Sequence, residues 1–576
     1  MSWFWRKKKK HTVSFDEILL DASNLPSFNQ GRLEGRIELP IAQKNIAIVG
    51  ILFICIAGLF LFTIFKLQIV HGLAFKDKSE NNTLEKTVII ADRGVIYDRK
   101  GELIAWNEEG KRSEYSFPMR AYTGRRGLGQ ITGYVSYPLK DKKGFYFRTE
   151  YLGRNGLEGA YDVKLKGTNG QQLLEADAHG VKIGEHVIEN PRAGEALHIS
   201  IDAELSEAMY NIIEAAVNKA GFRSGAAAIM DIHTGEILAM TSFPSYNPEV
   251  MADGDDSALI SSYNKDERFP FLNKVLGGVY TPGSIVKPFM AYGALAEKII
   301  DPNKVIVSNG YLLLPNPYDP EHPTKFMDWR VQGAMTMREA IAFSSNVYFY
   351  TIGGGFGDQK GLGITKIKEY MTKFGFGLKT GVILSGEQEG TVPDPAWKKK
   401  VFNDDWRLGD TYHTSIGQFG FLTTPLQMLR AYGAIANGGT LFVPHLELGK
   451  IGSSTDLRLN AEYLKVVTEG MRKTVNYERG TARALDRKDV AIAAKSGTAE
   501  LGTDNAHVNS WAAGYFPYED PKYSFILMMD KAPRSNALGA TKVMGAVVEW
   551  MSIHRPEYLG IVKQKVASTT QANVGP

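Results

Sequence analysis

The sequence of 576 residues has a single cysteine, Cys55. One thiol excludes an intrachain disulfide and any two-cysteine redox or zinc motif. Excess charge of one sign is also missing: 67 Lys and Arg stand against 63 Asp and Glu, a net charge of +4. No electrostatic footprint for nucleic acid follows from that balance. The basic residues gather instead at the N-terminus, in Arg6-Lys7-Lys8-Lys9-Lys10. Nucleotide loops are lacking too. Gly153-Arg154-Asn155-Gly156-Leu157-Glu158-Gly159 is rich in glycine but does not fit G-x-x-x-x-G-K-[ST], and Gly353-Gly354-Gly355 follows a helix-like stretch rather than a strand. His322, His413 and His507 are scattered without H-E-x-x-H spacing and read as loop or surface histidines. No internal repeat is present.

With 44% hydrophobic and 23% charged residues, the bulk of the chain is globular, and its length exceeds one ordinary domain. Ile46 to Phe65 is an uninterrupted uncharged run, and about 20 apolar residues cross a bilayer core. The stretch ahead of it is too long for a signal peptide and no A-x-A site follows, so 46–66 is read as a retained transmembrane helix. The basic block precedes the run, which places the N-terminus in the cytoplasm and the rest outside. Residues 1–45 form a tail, either disordered or touching the membrane surface through Trp3, Phe4 and Trp5 beside the basic run. Cys55 falls in the span as a packing residue.

Residues 67–195 read as short strands and turns, with strands expected at Thr87–Ile90, Gly94–Tyr97 and Glu102–Ala105. They carry no acid/base or metal constellation and suggest a structural module. The character changes near 196. A strand at Ala196–Ile201 precedes a helix capped by Asp202, with apolar positions Leu205, Met209, Ile212, Ile213, Ala216 and Val217 on one face and Gly221 at its end. Ala226–Ile232 and Glu236–Ser242 read as a hairpin around His233-Thr234-Gly235. Strands at Lys495 and Tyr523–Met529 and a helix at Thr541–Ile553 close an α+β domain over 196–560. Residues 561–576 form a disordered tail.

Three stretches carry chemistry. Tyr280-Thr281-Pro282-Gly283-Ser284-Ile285-Val286-Lys287-Pro288 holds S-x-x-K; on a helix, Ser284 and Lys287 share a face, with Ser284 at the N-terminus after a Pro-Gly turn. Ser344-Ser345-Asn346 fits S-x-N, and Lys495-Ser496-Gly497-Thr498 fits K-[ST]-G-T on a strand. Each is weak alone: S-x-x-K can be a solvated helix face, S-x-N a cap, K-S-G-T a turn. In this order they form the set of serine acyl-transferases of the penicillin-recognising kind.

That set assigns roles. A lysine amine near ~10.4 must be perturbed to act as a base, and burial with a neighbouring cation such as Lys495 would lower Lys287. Neutral Lys287 would then take the proton of Ser284 as it attacks a carbonyl. Ser344 would relay a proton to the leaving amine, and Asn346 would bond substrate and Lys287. Lys495 with Thr498, alongside Ser496, would bind a carboxylate, and Gly497 would leave room for substrate along the strand. The N–H groups of Ser284 and Thr498 would form an oxyanion hole.

With these motifs the chain resembles a class B penicillin-binding protein, a peptidoglycan D,D-transpeptidase, from the anchor to about residue 555. Arg93-Gly94 through Gly101 is similar to that family's R-G-x-I-x-D-R-x-G stretch and Gly156-Leu157-Glu158 to its G-L-E. The resemblance implies a β-rich pedestal (dimerisation-like domain) over 67–195 and a β-lactamase-like transpeptidase domain, an antiparallel sheet flanked by helices. Gly278 to Ser284, Phe243-Pro244-Ser245-Tyr246-Asn247-Pro248, Asp328-Trp329, Gly409-Asp410-Thr411 and Ile416-Gly417-Gln418 resemble the elongation type, penicillin-binding protein 2. This resemblance implies a D-Ala-D-Ala stem-peptide substrate, covalent binding of β-lactam antibiotics, a RodA-type SEDS glycan polymerase as partner, and a place in the cytoplasmic (inner) membrane. The head insertion of the pedestal is reduced, since little chain lies between Asp98 and Gly156. Some members bind zinc near S-x-N. Here only Asp328 matches that set; Ala334 stands at the histidine position and Ser345 at the cysteine position, so no metal or other cofactor is expected.

Water as acceptor would make the same motifs a D,D-carboxypeptidase or a β-lactamase, and a septal enzyme shares them. A β-lactam sensor would need a larger cytoplasmic part. A scaffold that only activates a polymerase would not need Ser284, Lys287 and Lys495.

Overall fold

The computed structural model describes residues 43–81, 83–109, 117–141, 146–176, 182–316, 319–502, 506–536 and 538–561. Most of the N-terminal tail and nearly all of the C-terminal tail expected from the sequence lie outside the described residues. The chain divides into two compact units, Met1–Glu85 with Leu174–Glu185, and Lys86–Leu173 with His186–Pro576.

In the first unit, helix α1 (Gln43–Phe65) runs through a wider turn, Lys66–Val70, into α2 (Gly72–Asn81). Lys44–Val70 is long and apolar enough to cross a membrane, and it is exposed along its whole length.

The second unit begins with a small sheet of β1 (Ile96–Tyr97), β2 (Leu103–Glu108), β3 (Met119–Tyr122) and β4 (Leu197–His198), in the order β4-β1-β2-β3. β4 lies parallel to β1 and the other pairs are antiparallel. The strand expected at Thr87–Ile90 is found at Thr83–Ile89. The two stretches similar to family motifs meet beside this sheet. Glu158 accepts from Arg93 Nε at 2.6 Å and from Arg120 Nε at 2.8 Å, and all three side chains are fully buried. Arg93 also reaches Asp162 at 2.8 Å.

The larger sheet holds β5 (Ser224–Asp231), β6 (Ile237–Phe243), β7 (Ala493–Leu501), β8 (His507–Phe516) and β9 (Tyr523–Pro533), ordered β6-β5-β9-β8-β7 with every pair antiparallel. Its central strands, β5, β9 and β8, are buried over most of their length, as strands covered on both faces must be. Helix α3 (Ala203–Ala220) starts as expected: Asp202 Oδ1 accepts from Leu205 N at 3.0 Å. Gly221 ends it in the left-handed region. The α3 side chains Leu205, Met209, Ile213 and Val217 pack with Val543, Val547 and Met551 of α9 (Ala540–His554) on one sheet face.

The opposite face meets α4 (Lys287–Ala296) and α7 (Pro425–Ala436). There Phe289, Met428 and Tyr432 join Ala226, Ala228, Ile526 and Met528 in the larger core. Phe289, Met428, Ile526 and Met528 each contribute about 1.5–3 kcal/mol by leaving water. Helices α5 (Met337–Phe343), α6 (Asn346–Gly354) and α8 (Ala461–Asn476) complete the surroundings of the site.

The Glu158 cluster makes a testable point. Glu158→Ala leaves two guanidiniums buried without their shared carboxylate. Denaturant unfolding of the variant is expected to show a loss of about 3–5 kcal/mol; a loss within ~0.5 kcal/mol, as at an ordinary surface position, would contradict the reading.

Candidate active site

Ser284 does not open an α-helix as expected. It lies in a 3₁₀ turn, Gly283–Val286, and α4 begins at Lys287. In a 3₁₀ turn positions i and i+3 eclipse, so Ser284 and Lys287 still stack. The turn is held from several sides. Tyr432 donates to Ile285 O at 2.7 Å, Trp511 Nε1 to Thr281 O at 3.0 Å, and Gly283 N to Gly417 O at 3.0 Å. Phe289, one turn into α4, is wedged among Phe374, Phe376 and Tyr432 at 4.9–5.3 Å between ring centres.

Ser344 ends α5 in the left-handed region, at φ 57° and ψ 38°. That conformation costs a non-glycine residue about 1–2 kcal/mol. It turns the chain sharply, so that Ser345 caps α6, accepting from Tyr348 N at 3.3 Å, and Asn346 opens it.

Strand β7 brings Lys495 to the same point. Lys287 Nζ donates to Ser344 O at 2.7 Å and to Asn346 Oδ1 at 2.8 Å, and lies 3.4 Å from Ser344 Oγ. Lys495 Nζ donates to Ser344 Oγ at 2.8 Å and to Ser496 O at 2.9 Å. Both lysines are fully buried, and neither forms an ion pair with a described residue. Ser284 is half-buried, and its hydroxyl makes no hydrogen bond among the described residues, to Lys287 or to any other group.

Burial lowers the Lys287 amine to about 7, against an opposing pull from Asp328. Burial also brings Lys495 well below its ordinary range, with the Lys287 amine adding to the effect. Burial thus lowers Lys287 as expected, and the coupling between the two amines is felt at Lys495. A neutral amine has two N–H donors and one lone pair. The two short bonds of Lys287 use both donors and leave the lone pair for a proton.

Two expectations for β7 change. Alternation along a strand puts Lys495 and Gly497 on one face and Ser496 and Thr498 on the other. Thr498 therefore does not pair with Lys495 in holding a ligand. It shares its accessible face with Ser496, whose hydroxyl donates to Thr481 Oγ1 at 2.6 Å. Gly497 does not open space for substrate either. A Cβ there would stand 2.7 Å from Ile285 Cγ2 and 3.0 Å from Pro282 O, so the missing side chain lets β7 pack on the Ser284 turn. A Cβ on Gly283 would likewise meet Thr498 O at 2.6 Å.

Asp328 gained only a family match from the sequence. In the structure it is 5% exposed and bonded to the Ser344–Asn346 turn through Ser345 Oγ and Asn346 N. No signal in the sequence links it to partners 17 to 20 residues away. A zinc ion does not fit here. The carboxylate's neighbours are the Ser308 and Ser345 hydroxyls, weak zinc donors beside thiolate or imidazole.

Residues 225–549 match the family described as the penicillin binding protein transpeptidase domain, and residues 115–199 the penicillin-binding protein dimerisation domain. Peptidoglycan D,D-transpeptidase MrdA of Acinetobacter baumannii is 34% identical over 391 residues, 65% of this chain and 55% of that protein. MrdA of Escherichia coli K12 is 26% identical over 605 residues, 87% of this chain and 92% of that protein. A chain in a solved structure described as "structural coordination of polymerization and crosslinking by a peptidoglycan synthase complex" superposes with a TM-score of 0.69 at 25% identity, covering 91% of this chain and all of that one.

The rate of covalent labelling by a fluorescent penicillin is expected to fall as pH drops through about 7, where Lys287 gains its proton, and to level off above it. A rate flat from about pH 5.5 to about 8.5 would refute Lys287 as the base. Gly497→Ala should slow labelling by roughly 100-fold, the scale of a misplacement of about 1 Å. Labelling at the wild-type rate would mean that the turn accommodates a Cβ at 497.

Proposed function

Because the chain belongs to the penicillin-binding protein transpeptidase family, we propose that it is a peptidoglycan D,D-transpeptidase that cross-links stem peptides through an acyl-enzyme on Ser284. The observation that carries this reading is the meeting of Lys287 and Lys495 on Ser344, 2.8 Å from Lys495 and 3.4 Å from Lys287.

The lone pair of Lys287 takes the Ser284 proton as Oγ adds to the carbonyl of the terminal D-Ala-D-Ala bond. The N–H groups of Ser284 and Thr498, on segments that the Gly283 contact holds together, receive the oxyanion, each worth roughly 3–4 kcal/mol of barrier. The C–N bond then breaks. The leaving D-Ala amine takes the proton from Lys287 by way of Ser344, whose hydroxyl oxygen accepts from Lys495 at 2.8 Å and lies 3.4 Å from the Lys287 amine. Asn346, held by Lys287, aligns the peptide. Ser496 and Thr498 bind the terminal carboxylate from their shared face, while the Lys495 amine lies beneath it. In the second half an acceptor amine attacks the ester, and Ser284 recovers its proton. A β-lactam opens at the same carbonyl, but its amine stays tethered to the acyl group and the adduct persists.

The names of the relatives and the stretches similar to penicillin-binding protein 2 support a role in cell-wall elongation rather than septation. Residues 67–195 serve as pedestal and 196–560 as transpeptidase domain. The protein is anchored by α1 in the cytoplasmic membrane with its N-terminus inside. A RodA-type polymerase supplies the glycan, a partnership supported by the likeness to a synthase complex that couples polymerization and crosslinking.

Product analysis with glycan strands carrying D-Ala-D-Ala stems, with the polymerase present, should yield a cross-linked dimer and one D-Ala released per link. Free D-Ala without dimer would make the enzyme a hydrolase. Ser284→Ala should abolish both dimer and penicillin adduct.

A further inference from the structure

The Ser344–Asn346 turn must hold a costly backbone conformation and present two acceptors, Ser344 O and Asn346 Oδ1, to one amine. A strained residue of this kind persists only where its surroundings over-determine it. The group best placed to do so is Asp328. Its Oδ1 accepts from Trp329 N and Asn346 N, both at 2.9 Å. Its Oδ2 accepts from Ser345 Oγ at 2.6 Å, Ser308 Oγ at 2.9 Å and Val347 N at 3.3 Å. These donors come from three separate segments, and the carboxylate itself is held by Asp328 N donating to Gly310 O at 2.8 Å. Two of them are N–H groups in the first turn of α6, where a helix favours negative charge.

We propose that Asp328 is a positioning residue of the transpeptidase, locking the Ser344–Val347 turn by direct hydrogen bonds and, through that turn, the amine of Lys287. This rests on Ser284 as the nucleophile and Lys287 as its base. Asp328 touches neither substrate nor Ser284 in this arrangement. It acts by fixing the peptide that carries both acceptors of Lys287. No metal is needed, because the Ser345 hydroxyl reaches the carboxylate directly.

The carboxylate also acts through its field. The charged groups facing Lys287 are Asp328, which favours its protonated form, and Lys495, whose own amine Lys287 lowers. The uncharged Phe349 ring lies 5.4 Å below the amine. On its other sides Asp328 faces Arg330 and the Tyr350 hydroxyl, and Tyr350 also feels Glu500. Removing the Asp328 charge therefore lowers the proton affinity of Lys287, while loosening the turn slows the chemistry.

The test is the pH dependence of penicillin labelling of the full-length protein. Asp328→Asn keeps the shape but has only one acceptor oxygen for the three N–H groups. It is expected to slow labelling more than about tenfold at pH 8, the scale of lost hydrogen bonds to a charged group, and to move the acid limb to lower pH. Ser345→Ala removes one donor and keeps the charge. It should slow labelling severalfold with the acid limb unmoved, and it keeps the question open to measurement should Asp328→Asn not fold. Wild-type rates and an unmoved acid limb in folded Asp328→Asn, or a wild-type rate in Ser345→Ala, overturn the proposal. Ser284→Ala is run alongside: if it still forms the adduct, the reading of Ser284 fails instead.

Discussion

Two lysine amines are buried side by side and share one serine. Keeping an ammonium out of water costs several kcal/mol, and no described carboxylate pairs with either lysine. The proton is what leaves. The burial that would destabilise a charged lysine lowers the Lys287 amine to about 7. The rest of the domain can be understood as the means of keeping water from that point. The Phe349 ring lies 5.4 Å from the amine, α4 is buried from Lys287 to Leu295, and the five-stranded sheet is covered on both faces.

Burial alone would leave the amine free to turn. Its direction comes from backbone that has few ways to move. The Ser284 turn is bound to α7, β8 and the Gly417 loop by hydrogen bonds, and β7 packs against it with no side chain between at Gly497. Ser344 is kept in the left-handed region by the capped start of α6. Donors and acceptors placed in advance need no rearrangement when charge develops, which is where such sites gain most of their rate. The half-buried Ser284 hydroxyl has no hydrogen-bond partner among the described residues.

Much of the site was legible as pattern. The stretches at 284–287, 344–346 and 495–498 were singled out on residue type and order, and the structure brings Lys287, Ser344, Asn346 and Lys495 together. Local chemistry was equally readable. Asp202 and Gly221 bound α3 as their side-chain oxygen and missing Cβ require, and the strands around 224–243 and 523–533 fall within a few residues of their expected limits. What could not be read depended on neighbours far away in the chain. Whether Gly497 faces a ligand or Ile285, and which groups fill the hydrogen-bonding capacity of Asp328, are settled by segments tens to hundreds of residues apart.

The sequence by itself determined the kinds of group available and their order: one nucleophile, two amines, a hydroxyl, an amide, a strand edge and an apolar anchor. It could do so because spacing of three residues, alternation by two and capping chemistry act within a single turn of chain. The tertiary structure alone decided how far the two amines are shifted by burial, what Gly497 packs against and why the turn at Ser344 holds its shape. Those outcomes depend on desolvation and hydrogen-bond saturation, and both are sums over every atom that packing brings near.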